Sequence, residues 1–191
     1  RAVVKYGRAV SFAVQMAEWI RDEKAGYPFE IEVSVDETDS PTAPLEHFFF
    51  GQELNRRGVE GIVSLAPRFV GEIEKGIDYK GSLEEFEAAL HQHVAIARYC
   101  GPYKISVHSG SDKFAIYPII GRVCGDLLHV KTAGTSYLEA LRVICRENEN
   151  LFRAIAQFGL EQYERDRASY HVSADPQRIS PPAELDRAGL E

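Results

Sequence analysis

The feature that most constrains this sequence is a repeated pattern in which a short apolar strand runs directly into an ionisable segment. Residues 104–107 are a predicted buried strand, and residues 108–113 then supply an imidazole, hydroxyls, a carboxylate and an ammonium. The same pattern recurs at residues 31–37, 62–68, 128–132 and 170–175. Segments with helical spacing of apolar residues separate these strands. Such alternation predicts parallel βα units whose sheet is covered by helices.

Apolar spacing and capping residues predict the boundaries of these elements. The predicted strands span residues 29–35, 62–66, 104–107, 127–131 and 170–173. The predicted helices span residues 1–24, 44–54 and 151–165, with others lining a buried face over 83–97, beginning near 114 and beginning after 136. Two Ser-x-x-Glu sequences, from Ser82 to Glu85 and from Ser136 to Glu139, predict capping boxes at two of the helix starts.

The distribution of polar residues favours a barrel over a doubly wound sheet. Both faces of a doubly wound sheet pack on helices and read as apolar runs, whereas one predicted strand face here is polar. That face carries Ser34, Asp36, Ser64, Arg68, Ser106, His108, His129, Lys131, His171 and Ser173. We therefore predict an α/β fold, a partial TIM-type (β/α) barrel of about five parallel βα units. Residues 1–175 form this portion of a longer barrel chain, and residues 176–191 form an irregular tail.

Composition narrows the classes of partner and the compartment. The 191 residues carry a formal net charge of −7, which disfavours nucleic-acid binding because phosphate contacts need clustered lysine and arginine. No apolar run reaches the roughly 20 residues that cross a bilayer, so we expect a cytoplasmic protein without a membrane partner. The three cysteines have no C-x-x-C spacing and indicate neither disulfides nor a zinc-thiolate site.

The candidate site consists of ionisable residues at the predicted strand ends, where the active sites of such barrels lie. Asp36 and Glu37 close the first strand, and both could reach the site; the alternative is that one faces the site while the other caps the next helix. His108 and His171 close two other strands. Imidazoles and carboxylates are ligands for Zn²⁺, Mn²⁺ and Ni²⁺. We predict a divalent metal cation bound by Glu37, His108 and His171; the alternative is that the histidines are hydrogen-bonded core residues.

A second set of residues could bind or transform a substrate. Lys131 could form a Schiff base, act as an acid, bind an anion, or pair with Asp36 or Asp112 in a salt bridge. The glycine-containing loops after two strands could bind a carboxylate or phosphate through backbone amides. The substrate-binding candidates are Arg68, Ser109, Asp112, Lys113, Thr132 and Thr135.

Long segments of the sequence resemble the tagaturonate epimerase family. They are SVDETDSPTAPLEH at 34–47, SLAPRFV at 64–70, KGIDYKG at 75–81, SVHSGSDK at 106–113, HVKTAGTSYLEAL at 129–141 and YHVSAD at 170–175. The resemblance spans almost the whole chain. It implies the interconversion of D-tagaturonate and D-fructuronate, with a divalent metal, in bacterial hexuronate catabolism, and a small-molecule keto-hexuronate as the partner.

The implied reaction suggests a mechanism. The inverted carbon, C4, lies one position too far from the C2 ketone for simple proton abstraction, so we expect retro-aldol cleavage, rotation and re-addition. In this hypothesis Asp36 is the base, and Lys131 is the acid or the partner of the enediolate. Arg68 or Lys113 binds the sugar carboxylate, and the metal polarises the ketone. The alternatives are a metal-dependent aldolase or sugar isomerase on a similar barrel, and a barrel that binds sugar acids without catalysis.

Overall fold

The four strands follow one another across the sheet in their sequence order. The computed structural model describes residues 2–134, 136–169, 172–186 and 189. The strands are β1 (Ile31–Val35), β2 (Ile62–Pro67), β3 (Lys104–Val107) and β4 (Leu128–Val130), all parallel to their neighbours. The predicted positions of these four strands are confirmed to within two residues.

Helices precede, connect and follow the strands. They are α1 (Ala2–Glu23), α2 (Pro44–Arg56), α3 (Leu83–Cys100), α4 (Tyr117–Cys124), α5 (Tyr137–Glu147) and α6 (Glu149–Asp166). The Ser82 hydroxyl accepts from the Glu85 amide, so the predicted cap of α3 is confirmed. At α5 the Ser136 side chain makes no capping hydrogen bond, and the predicted capping box there is wrong. Glu139 forms a salt bridge with Arg142 instead.

The predicted fifth strand is not found in the described part of the chain. Tyr170 and His171 lie outside the described residues, and Val172 and Ser173 belong to no strand. The Ser173 amide donates to the Glu74 carboxylate at 2.8 Å. This amide is therefore bonded to a side chain and does not pair with the backbone of a neighbouring strand. The following segment, predicted to be irregular, contains a short 3₁₀ helix, Pro176–Arg178.

The helices cover the aliphatic face of the sheet. Leu65 of β2 and Ile105 of β3 are fully buried, together with Phe86 and Leu90 of α3. Helix α1 packs on α2 through Tyr6 and Phe50, whose rings meet edge to face at a centroid distance of 5.9 Å. Among the described residues, no helix has both the length and the apolar character needed to cross a bilayer.

The strand order leaves the opposite face of the sheet to polar side chains. Right-handed connections put successive helices on the same side when the order does not reverse, and α1 to α4 pack as one layer. Register places Glu32 of β1 beside Ser64 of β2, and Ser106 of β3 beside His129 of β4. This polar face carries the candidate site.

Candidate active site

Glu32 is the centre of a hydrogen-bonded cluster on the polar face of the sheet. Its Oε1 lies 2.7 Å from His108 Nε2, and its Oε2 lies 2.7 Å from His129 Nδ1. The Ser64 hydroxyl also donates to Oε2, at 2.6 Å. Side chains alternate along a strand, so Glu32 faces this cluster while Val33 packs towards the core. One carboxylate therefore joins the four strands across their polar side.

The cluster keeps Glu32 ionised. Partial burial by itself would raise the pKa of this carboxyl, but hydrogen bonds from Ser64, His108, Ser106 and His129 outweigh burial and lower the pKa to about 2. A carboxylate with this pKa acts as a fixed negative charge and hydrogen-bond acceptor near neutral pH. It therefore orients the two imidazoles.

His108 connects this cluster to the end of β1. Its Nε2 contacts Glu32, and its Nδ1 lies 2.8 Å from Asp36 Oδ2. Asp36 also accepts a hydrogen bond from the Ser34 hydroxyl. Lys131 approaches from β4, with its Nζ 4.0 Å from Glu32 Oε1. The arrangement is a chain of ionisable groups that runs from Asp36 through His108 and Glu32 to His129.

A cavity of about 510 Å³ opens beside this chain at the carboxyl ends of the strands. Five of the predicted site residues line it, namely Asp36, Glu37, Arg68, His108 and Ser109. Residues 71–75 of the β2–α3 loop form another wall. The volume lies within the range of small-molecule sites, about 300 to 1,000 Å³. The structure thus brings the predicted base, two predicted metal ligands and two substrate-binding candidates to one cavity.

The backbone and Arg68 shape the near wall of the cavity. Ser109 adopts a positive φ of 50° directly after His108, which turns the chain sharply at the end of β3. The Arg68 guanidinium donates to the Thr38 carbonyl and lies 3.5 Å from Glu72. Arg68 therefore ties the loop after β1 to the loop after β2 while it faces the cavity.

The cavity lining does not include four other predicted residues, which are Asp112, Lys113, Lys131 and Thr132. Asp112 and Lys113 are buried, with 2% and 0% of their surface exposed. The Lys113 ammonium donates to the carbonyls of Ile77 and Ser111, at 2.5 and 2.9 Å. Burial lowers the pKa of Lys113, although nearby carboxylates oppose this effect. Thr132 is exposed, and its hydroxyl accepts from the Gly134 amide.

Two predicted residues, Thr135 and His171, lie outside the described part of the chain. Within the described residues, no group of three or more histidine, cysteine, aspartate or glutamate side chains is arranged to hold a metal ion. Glu37 and His108 nevertheless line the same cavity, and imidazole and carboxylate suit the predicted cations. The donors present are chemically compatible with the metal, and the third predicted ligand, His171, remains a prediction.

The sequence analysis missed Glu32 as a member of the site. Alternation along β1 puts Glu32 on the same face as Ser34 and Asp36, but Glu32 does not stand at the end of the strand, where the candidates were expected. The signal that identifies it is a long charged side chain inside a five-residue strand. Such a side chain needs a hydrogen-bonding partner on the neighbouring strands, and these strands contain serines and histidines.

The comparisons with known proteins agree with one another. A family model described as tagaturonate epimerase matches residues 1–191. The tagaturonate/fructuronate epimerase of Thermotoga maritima is 52% identical over 178 residues, which are 93% of this chain and 36% of that protein. The native crystal structure of fructuronate-tagaturonate epimerase UxaE from Cohnella laeviribosi superposes with a TM-score of 0.82 at 42% identity, covering 100% of this chain and 38% of that one.

A second crystal structure of the Cohnella laeviribosi protein, with two glycerol molecules, gives a TM-score of 0.81 at 42% identity. The chain spans little more than a third of the length of these relatives, 36% and 38% in the two comparisons quoted above. The family match covers the chain from end to end, and the identity to the Thermotoga maritima protein extends over 93% of it. The chain therefore belongs to the tagaturonate epimerase family.

Proposed function

We propose that the protein containing this chain inverts C4 of a keto-hexuronate and interconverts D-tagaturonate and D-fructuronate. The observation that carries the proposal is the chain of ionisable groups from Asp36 to His129 beside a cavity of about 510 Å³. The relatives named above are described as epimerases of these two sugars. A keto-hexuronate is polar and anionic, and the cavity offers it Arg68, a serine hydroxyl and carboxylates.

The reaction that best fits these groups is retro-aldol cleavage followed by re-addition. A base removes the C4 hydroxyl proton, the C3–C4 bond breaks, and its electron pair passes to the ketone fragment. The aldehyde fragment rotates within the cavity, and re-addition to its other face inverts C4. The proton then returns to the new C4 oxygen, so that atoms and charge balance.

We assign the base to Asp36 because it lines the cavity and because two neighbouring side chains already hold its carboxylate. His108 Nδ1 lies 2.8 Å from Asp36 Oδ2, and the Ser34 hydroxyl donates to Oδ1. Arg68 binds the sugar carboxylate, since a guanidinium suits bidentate carboxylate recognition. Ser109 binds a sugar hydroxyl, and Lys131, which directly follows β4, acts as an acid or charge partner towards the enediolate. Roles for Asp112, Lys113, Thr132 and Thr135 stay predictions from the sequence.

We also propose that a divalent cation, Zn²⁺, Mn²⁺ or Ni²⁺, binds at Glu37 and His108, with His171 as a further ligand. Both Glu37 and His108 line the cavity. When bound, the ion supplies Lewis-acid polarisation of the C2 carbonyl. To bind the ion, His108 would use one of its two ring nitrogens, whose partners in the structure are Glu32 and Asp36.

The four strands fit best as one segment of a larger (β/α) barrel. Their order, β1 to β4, follows the sequence, whereas a doubly wound sheet reverses order at its switch point. One face is packed on helices and the other carries Glu32, Ser64, Ser106 and His129, as expected of an interior that leads to a site.

The test is epimerisation of D-fructuronate by the full-length protein, followed by NMR before and after chelation. We expect turnover that chelation abolishes and Mn²⁺, Ni²⁺ or Zn²⁺ restores. Asp36→Asn should lower kcat by about a hundredfold or more while metal content stays unchanged, the loss typical of a general base. Asp126→Asn, an exposed aspartate in the turn before β4, is the matched control and should keep wild-type turnover.

Other results would favour the alternative functions. Release of free three-carbon fragments would indicate an aldolase, and movement of the carbonyl between C1 and C2 would indicate an isomerase. Sugar binding without turnover would indicate a non-catalytic protein. Wild-type activity of Asp36→Asn would show that Asp36 is not the base.

A further inference from the structure

We propose that Lys5 of α1 is a positioning residue for the loop between β1 and α2, residues 36–43, which forms one wall of the candidate active site. This inference rests on the proposed function for its catalytic consequence. Four consecutive residues of this loop, 36–39, line the cavity. They include Asp36, the assigned base, and Glu37, a proposed metal ligand.

The Lys5 ammonium forms hydrogen bonds to the far end of this loop and to the start of α2. It lies 3.1 Å from the Ser40 carbonyl, 3.0 Å from the Ser40 hydroxyl and 3.2 Å from the Pro41 carbonyl. It also forms a salt bridge with Glu46 Oε2 at 3.1 Å. The same Glu46 oxygen accepts from the Ala43 amide at 3.0 Å. One cation therefore joins the loop, the first turn of α2 and α1.

The loop depends on such outside contacts because it has little regular structure of its own. Asp36 is held at one end by β1 and by His108. Thr42, at the other end, exchanges hydrogen bonds with the Arg68 backbone and with the buried Tyr6 hydroxyl. Between these ends, the contacts of Lys5 and the Arg68 bond to Thr38 fix residues 37–41.

Lys5 can be tested separately from substrate binding because it is not a cavity residue. Arg68 lines the cavity, so a change there would alter substrate contact and loop position together. The Lys5 side chain is 19% exposed, and its loss leaves the buried Glu46 carboxylate with the Ala43 amide as a hydrogen-bond donor. Lys5 touches neither Asp36 nor His108 through any recorded contact within the described residues, and it acts through the loop alone.

The experiment is hydrogen–deuterium exchange and steady-state kinetics of the full-length protein, comparing Lys5→Met with wild type. We expect amides of residues 37–41 to exchange about tenfold faster, while those of α3 are unchanged. Misplacing a catalytic group by about 1 Å can cost a hundredfold in rate, so kcat should fall about tenfold or more, with KM changed by less than about threefold. Lys5→Arg, which keeps the charge and the donors, should restore most of the lost kcat.

Arg8→Met is the matched control, because it removes an exposed cation one turn away on α1. It should leave both loop exchange and kcat at wild-type values. Wild-type exchange of residues 37–41 in Lys5→Met would overturn the proposal, as would a kcat loss that Lys5→Arg does not restore. If wild type proves inactive as an epimerase, the proposed function fails, and the exchange comparison still decides whether Lys5 positions the loop.

Discussion

At the scale of single residues, Glu32 decides how the polar face of the sheet is organised. Its two oxygens receive hydrogen bonds from a serine on β2, a histidine after β3 and a histidine on β4. Charge-assisted hydrogen bonds of this kind are stronger than neutral ones. Because Glu32 orients His108, and His108 orients Asp36, a residue outside the cavity wall controls the group assigned as the base.

We expect Glu32→Gln to damage both stability and turnover. A neutral amide keeps the shape but presents an NH₂ group where one imidazole donates, so a buried donor loses its acceptor. The free energy of unfolding should fall by about 1 to 3 kcal/mol, measured by urea denaturation, and kcat should fall more than about tenfold. Glu30→Gln changes an exposed glutamate just before β1 and should alter neither. Wild-type stability and kcat in Glu32→Gln would show that the cluster does not depend on its charge.

Part of this site could be predicted from the sequence, because the ends of apolar strands can be recognised from the sequence alone. The residues at the ends of β1 and β3, Asp36, Glu37, His108 and Ser109, meet at one cavity as expected. Lys113 also lies in the polar segment that follows a predicted strand, yet its side chain turns into the protein interior and its ammonium binds backbone carbonyls. The direction of a side chain after a strand depends on the loop conformation, including the positive φ of 58° at Asp112, which periodicity does not encode.

At the scale of elements, a buried histidine pair joins α2 to α3. His47 Nδ1 and His93 Nδ1 lie 3.0 Å apart, and His47 Nε2 lies 2.8 Å from the Tyr103 hydroxyl. Gly51 lets these groups approach, because a Cβ there would stand 2.9 Å from the same hydroxyl. The sequence analysis did not single out these contacts, since the two histidines are 46 residues apart and each lies in an ordinary amphipathic helix.

This pair predicts a loss of stability on mild acidification. Burial lowers the pKa of His47 to about 3, with a further contribution from His93, and lowers that of His93 to about 4. In the unfolded chain both imidazoles titrate near 6.5. Below that pH the unfolded state binds more protons than the folded state, so stability falls as the pH falls from about 6.5 towards about 4.

Between about pH 7 and about pH 5 each histidine should lower the free energy of unfolding by about 2 kcal/mol, measured by urea denaturation. His47→Gln should remove about half of this pH dependence, whatever its effect on absolute stability. His91→Gln provides the control, because His91 lies on α3 near His93 with its side chain 62% exposed. An unchanged pH dependence in His47→Gln would contradict the assignment of the effect to this pair.

At the scale of the whole molecule, stability is distributed unevenly along the chain. Helices α1 to α4 pack on one another and on the sheet, and α2, α3 and α4 contribute most of the buried residues that lie in helices. Helices α5 and α6 pack on each other, and among the described residues of α6, 149–166, none is buried. Leu151, Ile155 and Phe158 of α6 remain exposed. The apolar periodicity that correctly predicted α6 did not reveal that its apolar residues lack a buried environment.

This difference predicts that α6 opens more readily than the rest of the 191-residue chain. Helices with few buried contacts open locally at low free energy, so α6 amides should exchange about tenfold faster than those of α3. Gly159 lies within α6, and a Cβ there meets nothing within 4 Å. Gly159→Ala should therefore slow exchange in α6 about threefold or more, because alanine favours a helix by about 1 kcal/mol over glycine. Gly121→Ala in α4, also unobstructed, should leave α6 exchange unchanged; equal exchange of α6 and α3 would instead show that both open in one cooperative unit.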